Sequence, residues 1–209
     1  FDGGTLGVGS QNVHWESEGA FTGEQSAEML TGTVSHVIVG HSERRWVFGE
    51  SDEETNKKLR AVLGTGLTPI LAVGERREQR EAGETDAVLE RQLLAAFEGI
   101  EALPESAVVA YEPVWAIGSG VPATAEIAQE AASVIRAILG SRFGATTAAT
   151  TRIQYGGSVT ADNAGEFAAR PDVDGALVGG ASLRADEFAV ICGAFAHAHR
   201  MATGSASNA

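Results

Sequence analysis

"VVAYEPVWAIGSG", residues 108–120, carries a carboxylate at the very end of an apolar run. Val108 to Tyr111 is short and apolar throughout, the pattern of a parallel strand covered on both faces. Glu112 follows with no turn residue before it. Pro113 then stiffens the backbone, and Gly118-Ser119-Gly120 closes the loop. A helical stripe of Ile127, Ala131, Val134, Ile135 and Ile138 comes next. Strand, polar loop and helix form one unit, and the fold depends on whether that unit repeats.

It does. Further strand-like runs lie at Leu6 to Gln11, His36 to Val39, Pro69 to Val73, Arg152 to Tyr155 and Gly175 to Val178. Between them, Ser51-Asp52-Glu53-Glu54 is a capping-box pattern opening a helix whose Leu59, Val62 and Leu63 share a face. Leu89, Leu93, Ala96, Phe97 and Ile100 form another stripe, and shorter helices are expected at Thr160 to Ala168 and Asp186 to His199. Such alternation predicts a parallel α/β sheet. A doubly wound nucleotide-binding sheet usually shows a glycine fingerprint after its first strand, and none is present. Polar and glycine-rich residues gather instead after strand upon strand, which is how a (β/α)8 TIM barrel distributes its site. Six units are visible where such a barrel has eight, so the expectation is a barrel with its first two βα units absent from these 209 residues. Phe1 in place of an initiator Met agrees with a processed chain or a longer parent. Residues 1–200 then read as a single incomplete barrel domain, and 201–209, small and polar, as a disordered tail.

The formal charge of −13 disfavours nucleic acid and anionic membrane surfaces as partners. No run approaches the roughly 18 apolar residues of a membrane span. One cysteine, Cys192, excludes an internal disulfide and a cysteine-rich zinc site; with no signal-like N-terminus, the cytoplasm is expected. Cys192 reads as packed in an apolar helical stretch. Lys57 and Lys58 read as adjacent on a helix exterior, so an anionic ligand must be held by local dipoles.

Candidate chemistry sits at the strand ends. In "VIVGHSERRWVFGES", residues 37–51, His41 follows a strand and Ser42 is placed to cap a short helix. Such a His is either a structural hydrogen-bonder or, kept neutral by the helix N-terminus, a donor to a carbonyl oxygen. His14, His36, His197 and His199 have no comparable setting. Glu112 reads either as a salt-bridged rim carboxylate or as a general base paired with His41. The stretch 114–121 is either a linker or a lid that excludes water. "YGGSVT" (155–160) and "LVGGASL" (177–183) place glycines after the last two strands, either as tight turns or as a phosphate cradle of main-chain amides.

These motifs together resemble the triosephosphate isomerase family over Leu6 to His199: "FTGE" at 21–24, "GHSERR" at 40–45, "YEPVWAIGSG" at 111–120, "YGGSV" at 155–159 and "LVGGASL" occur in the family's order. The resemblance implies interconversion of dihydroxyacetone phosphate and D-glyceraldehyde 3-phosphate through an enediol(ate), the carboxylate and neutral-histidine pairing described for that enzyme in general accounts of catalysis. It assigns Glu112 as base, His41 as the group stabilising charge on oxygen, and Glu43 as an acid near the substrate. Gly118, Ser158, Gly179 and Gly180 match phosphate contacts. Pro113, Val114, Trp115, Ala116, Ile117, Ser119 and Gly120 match the lid. Asn12, Thr22 and Glu24 match a homodimer interface, and no metal or organic cofactor is implied. The family's first-strand Asn and Lys motif has no counterpart here, and the lid's far hinge reads Val121-Pro122-Ala123. The alternative reading is a catalytically silent barrel relative that binds phosphates or serves as an assembly partner.

Overall fold

The structure, a computed structural model, describes residues 6–117 and 123–206. Six parallel strands form one sheet in strict chain order: β1 (Gly9–Ser10), β2 (His36–Val39), β3 (Thr68–Val73), β4 (Val108–Tyr111), β5 (Arg152–Tyr155) and β6 (Gly175–Ala176). Nine helices occur among the described residues: α1 (Ala27–Leu30), α2 (Ser42–Trp46), α3 (Asp52–Gly64), α4 (Arg77–Glu81), α5 (Thr85–Ala96), α6 (Ala125–Phe143), α7 (Ala145–Thr150), α8 (Ala164–Ala168) and α9 (Ala185–Ala206). A doubly wound sheet reverses its order at a switch point. Here the order never reverses, so the winding is that of a barrel wall.

Register follows directly. Val73 pairs with Tyr111 and Tyr111 with Tyr155, so β3, β4 and β5 end level, while β2 ends two residues earlier with Val39 opposite Leu71; the residues that follow emerge along one rim. The covering helices α3, α5 and α6 bury Leu59 and Val62, Leu89 and Leu93, and Ile135 and Leu139, in one core with Val37, Leu71, Val73 and Val109. Tyr155 stacks on Phe167 at 4.2 Å between ring centroids. Helix α3 starts where the pattern places it: Ser51 Oγ accepts the Glu54 amide and Glu54 returns the bond to the Ser51 amide.

Several expectations change. The end strands β1 and β6 are two residues each, and among the described residues each has a ladder partner on one side only. Helix α9 continues through Ala206, past His199 and into the stretch read as a tail; Arg200, Met201 and Ala202 are sound helix formers with no breaker before Gly204. Cys192 is exposed rather than packed, since Ile191 beside it takes the buried stripe and the next position turns outward. Lys58 is buried, not on the exterior. It bonds Glu50 and, at 2.8 Å, Asn12 Oδ1, while Lys57 stays exposed with Glu53. No described helix is long and apolar enough to cross a membrane.

Candidate active site

Main-chain contacts on both sides seat Glu112. Its amide donates to Val73 O at 2.7 Å, and on the other side Gly156 donates to Tyr111 O at 2.7 Å. A glycine flanks it on each neighbouring strand end: a Cβ on Gly74 would come 1.8 Å from Glu112 O, and one on Gly156 would come 2.8 Å from Glu112 Cγ. Neither position tolerates a side chain without displacing Glu112.

The carboxylate points at the end of β2. Oε1 lies 3.0 Å from His41 Nε2 and Oε2 accepts the Ser42 amide at 2.8 Å. The Glu112 side chain is 3% exposed and that of His41 29%, so the imidazole is the face the pair offers to a ligand. His41, rather than Ser42, caps α2: its Nδ1 accepts the Glu43 amide at 3.3 Å, made possible by the turn at Gly40, where φ is +70°. With Nδ1 accepting, the ring proton sits on Nε2, the nitrogen facing Glu112. The hydrogen bond that His41 donates to Glu112 raises the His41 pKa above its ordinary value, against the lowering by burial, with smaller upward contributions from the charges of Glu112 and Glu43. A helix N-terminus was expected to favour the neutral ring; while Glu112 is turned toward it, the carboxylate outweighs that effect. Glu43 itself is exposed on α2.

Buried polar contacts hold this rim. Arg45 donates to Gly40 O at 2.7 Å, to Ala72 O at 3.3 Å and to Asp52 at 2.6 Å, fixing the residue before His41. Glu75, fully buried, accepts from Tyr111 Oη at 3.0 Å and from Trp115 Nε1 at 2.8 Å, with Arg80 nearby at 3.8 Å. Burial, and then the Glu75 charge, push the Tyr111 phenol well above its usual range. The first half of the stretch after Glu112 is therefore tied down: Pro113 is buried, Val114–Ala116 forms a 3-10 turn, and Ala116 O accepts Ser158 Oγ at 2.8 Å. Ile117 is half-buried, and Gly118, Ser119 and Gly120 lie outside the described residues. Gly179 and Gly180 are exposed at the start of a second 3-10 turn, with nothing within 4 Å of a Cβ built on either. Packing does not require glycine there. Thr22 and Glu24 are exposed, whereas Asn12 is engaged within its own chain by Lys58. Among the described residues no group of three or more His, Cys, Asp or Glu is placed to hold a metal ion.

Glu75 and Gln92 were not singled out from the sequence. "TPILAVGE", residues 68–75, does carry the signal, since an apolar run meets a charge one glycine later, much as at Glu112.

Winding and rim together define a class: a parallel α/β protein of barrel type with a carboxylate and an imidazole in contact at the carboxyl ends of its strands. A family model described as triosephosphate isomerase matches residues 2–195. Proteins named triosephosphate isomerase are similar at 50% identity in Alkaliphilus oremlandii (89% of this chain and 76% of the relative), 53% in Citrifermentans bemidjiense (89% and 75%) and 52% in Symbiobacterium thermophilum (94% and 77%). The chain belongs to the triosephosphate isomerase family.

Proposed function

We propose that this chain, acting as a single barrel domain, interconverts dihydroxyacetone phosphate and D-glyceraldehyde 3-phosphate, with Glu112 moving a proton between adjacent carbons. The observation that carries this reading is the 3.0 Å contact between Glu112 and His41 Nε2 on a rim shared by two strand ends. To act as base, the carboxylate leaves the Ser42 amide and turns to the substrate carbon. The Nε2–H then faces the substrate oxygens and stabilises the enediolate. Turning away also removes the main cause of the raised His41 pKa, so the ring donates as a neutral imidazole.

In a chain of charge −13, the phosphate is held by main-chain amides at Gly118, Ser158, Gly179 and Gly180. Glu43 stands near the substrate as an accessory acid. Residues 113–120 close over the intermediate and limit loss of its phosphate. The exposed Thr22 and Glu24 mark a homodimer contact, and the cytoplasm is the compartment.

Replacing Glu112 by Gln keeps the shape and removes the base. Steady-state kinetics should show kcat lower by about 10²- to 10⁴-fold with KM within a few-fold of the parent. A loss below about ten-fold would contradict the base assignment. One observation favours the silent relative: Lys57 pairs with Glu53 and Lys58 with Glu50, so neither supplies the ammonium that the family's first strand contributes. That reading predicts no isomerisation by the unmutated chain, with inorganic phosphate or a triose phosphate still bound.

A further inference from the structure

Gln92 lies in the middle of α5, 1% exposed, at a position otherwise given to the apolar stripe of Leu89, Leu93 and Ala96. Its amide closes a two-point contact with one residue. Oε1 accepts the Gly74 amide at 2.8 Å and Nε2 donates to Gly74 O at 3.2 Å. These are the two groups a further strand residue would pair with, at the point where β3 has ended. The β4 side passes Gly74 by, since Glu112 N bonds Val73 O and Val114 N bonds Glu75 O. Gly74 instead presses its Cα face on the Glu112 carbonyl, where a Cβ would stand 1.8 Å from the oxygen. From the Gln92 amide to the Glu112 main chain there are thus two links, one pair of hydrogen bonds and one backbone contact, with no flexible side chain between them.

We propose that Gln92 is a positioning residue for proton transfer: by clamping the Gly74 peptide it sets where Glu112 stands relative to His41 Nε2. The proposal rests on Glu112 being the base. Only an amide side chain serves, because the clamp needs one donor and one acceptor side by side. A carboxylate would set a second acceptor against Gly74 O, and an apolar side chain would leave both buried peptide groups unpaired. An offset of about 1 Å at a reacting group costs on the order of 10²-fold in rate.

The test compares Gln92→Met and Gln92→Glu, each alone and combined with Glu112→Gln, by steady-state isomerase kinetics at a temperature where circular dichroism shows the fold intact. The expected result is kcat lower by about 10- to 100-fold with KM little changed, and little further loss when Gln92→Met is added to Glu112→Gln, since a misplaced base and an absent base are one defect. Gln92→Glu decides the matter should Gln92→Met fail to fold. Protonating the new buried carboxyl restores an O–H donor to Gly74 O, so its kcat relative to the parent should climb toward one as the pH is lowered from about 8 to 6. A folded Gln92→Met enzyme within about three-fold of the parent kcat would overturn the proposal, and so would a loss of undiminished size in the Glu112→Gln background. Full activity of Glu112→Gln by itself overturns the base assignment, and the positioning role falls with it.

Discussion

Lys58→Met removes one ammonium from the interior and leaves its partner behind. Lys58 and Glu50 side chains are each 4% exposed, and Lys58 Nζ bonds both the Glu50 carboxylate and Asn12 Oδ1. Glu50 has two other contacts, Arg44 Nε at 3.3 Å and Thr55 Oγ1 at 3.4 Å. Arg44 is more exposed than the pair and offers only partial compensation. Removing one member of a buried ion pair costs about 3–5 kcal/mol, and the contact with Arg44 argues for the lower end. At about 3 kcal/mol the melting temperature of a chain this long should fall by roughly 6–12 °C. Urea unfolding at neutral pH, followed by circular dichroism, gives the same loss as a lower midpoint at unchanged slope. The double variant Glu50→Gln with Lys58→Met should regain much of the loss, since no uncompensated charge then stays buried. Lys57→Met is the internal control. Its ammonium is exposed, pairs with Glu53 and lies 5.7 Å from the centre of the Trp15 ring, both weak surface contacts, and no measurable change in midpoint is expected. Equal midpoints for the two lysine variants, or a double variant no better than Lys58→Met alone, would refute the reasoning.

The His41 titration, followed by imidazole proton NMR, should move to lower pH in Glu112→Gln, because the hydrogen bond to the Glu112 carboxylate is the largest cause raising it. A raised folded pKa contributes stability that is complete below the unfolded value of about 6.5 and is lost as the pH rises through the folded pKa. Glu112→Gln should flatten that dependence, and an unchanged His41 titration would contradict the contact. Ser51→Ala breaks one half of the capping box at the start of α3 and should cost about 1 kcal/mol, a melting temperature lower by some 2–4 °C.

Much of the fold was legible because buried parallel strands are short unbroken apolar runs. His36–Val39, Val108–Tyr111 and Arg152–Tyr155 stand where the runs predicted, and Thr68–Val73 begins one residue early. The outer strands were overestimated, since an apolar run says nothing about whether a neighbour exists to pair with it. At the site, the positions of Glu112 and His41 could be read from their place after strands. Their contact could not, because it depends on where two rims converge. Ser42 looked like the helix cap by residue type, yet the Gly40 turn brings the His41 ring to that role. Lys58, read as exterior, and Gln92, passed over, have one cause in common. Lys58 falls between Thr55 and Val62 on the inner face of α3, and Gln92 between Leu89 and Ala96 on that of α5, so periodicity placed both inside while their polarity suggested otherwise. A polar residue in register with a core stripe is a signal to search for its partner.

The two glycines flanking Glu112 also bear on how this scaffold could be redesigned. Because Gly74 and Gly156 close against the main chain and the side chain of Glu112, a library that randomises them would return mostly broken proteins and teach little about specificity. Gly179 and Gly180 face open space, so alanine or serine fits at either without displacing Glu112. Diversity is best spent on that outer turn.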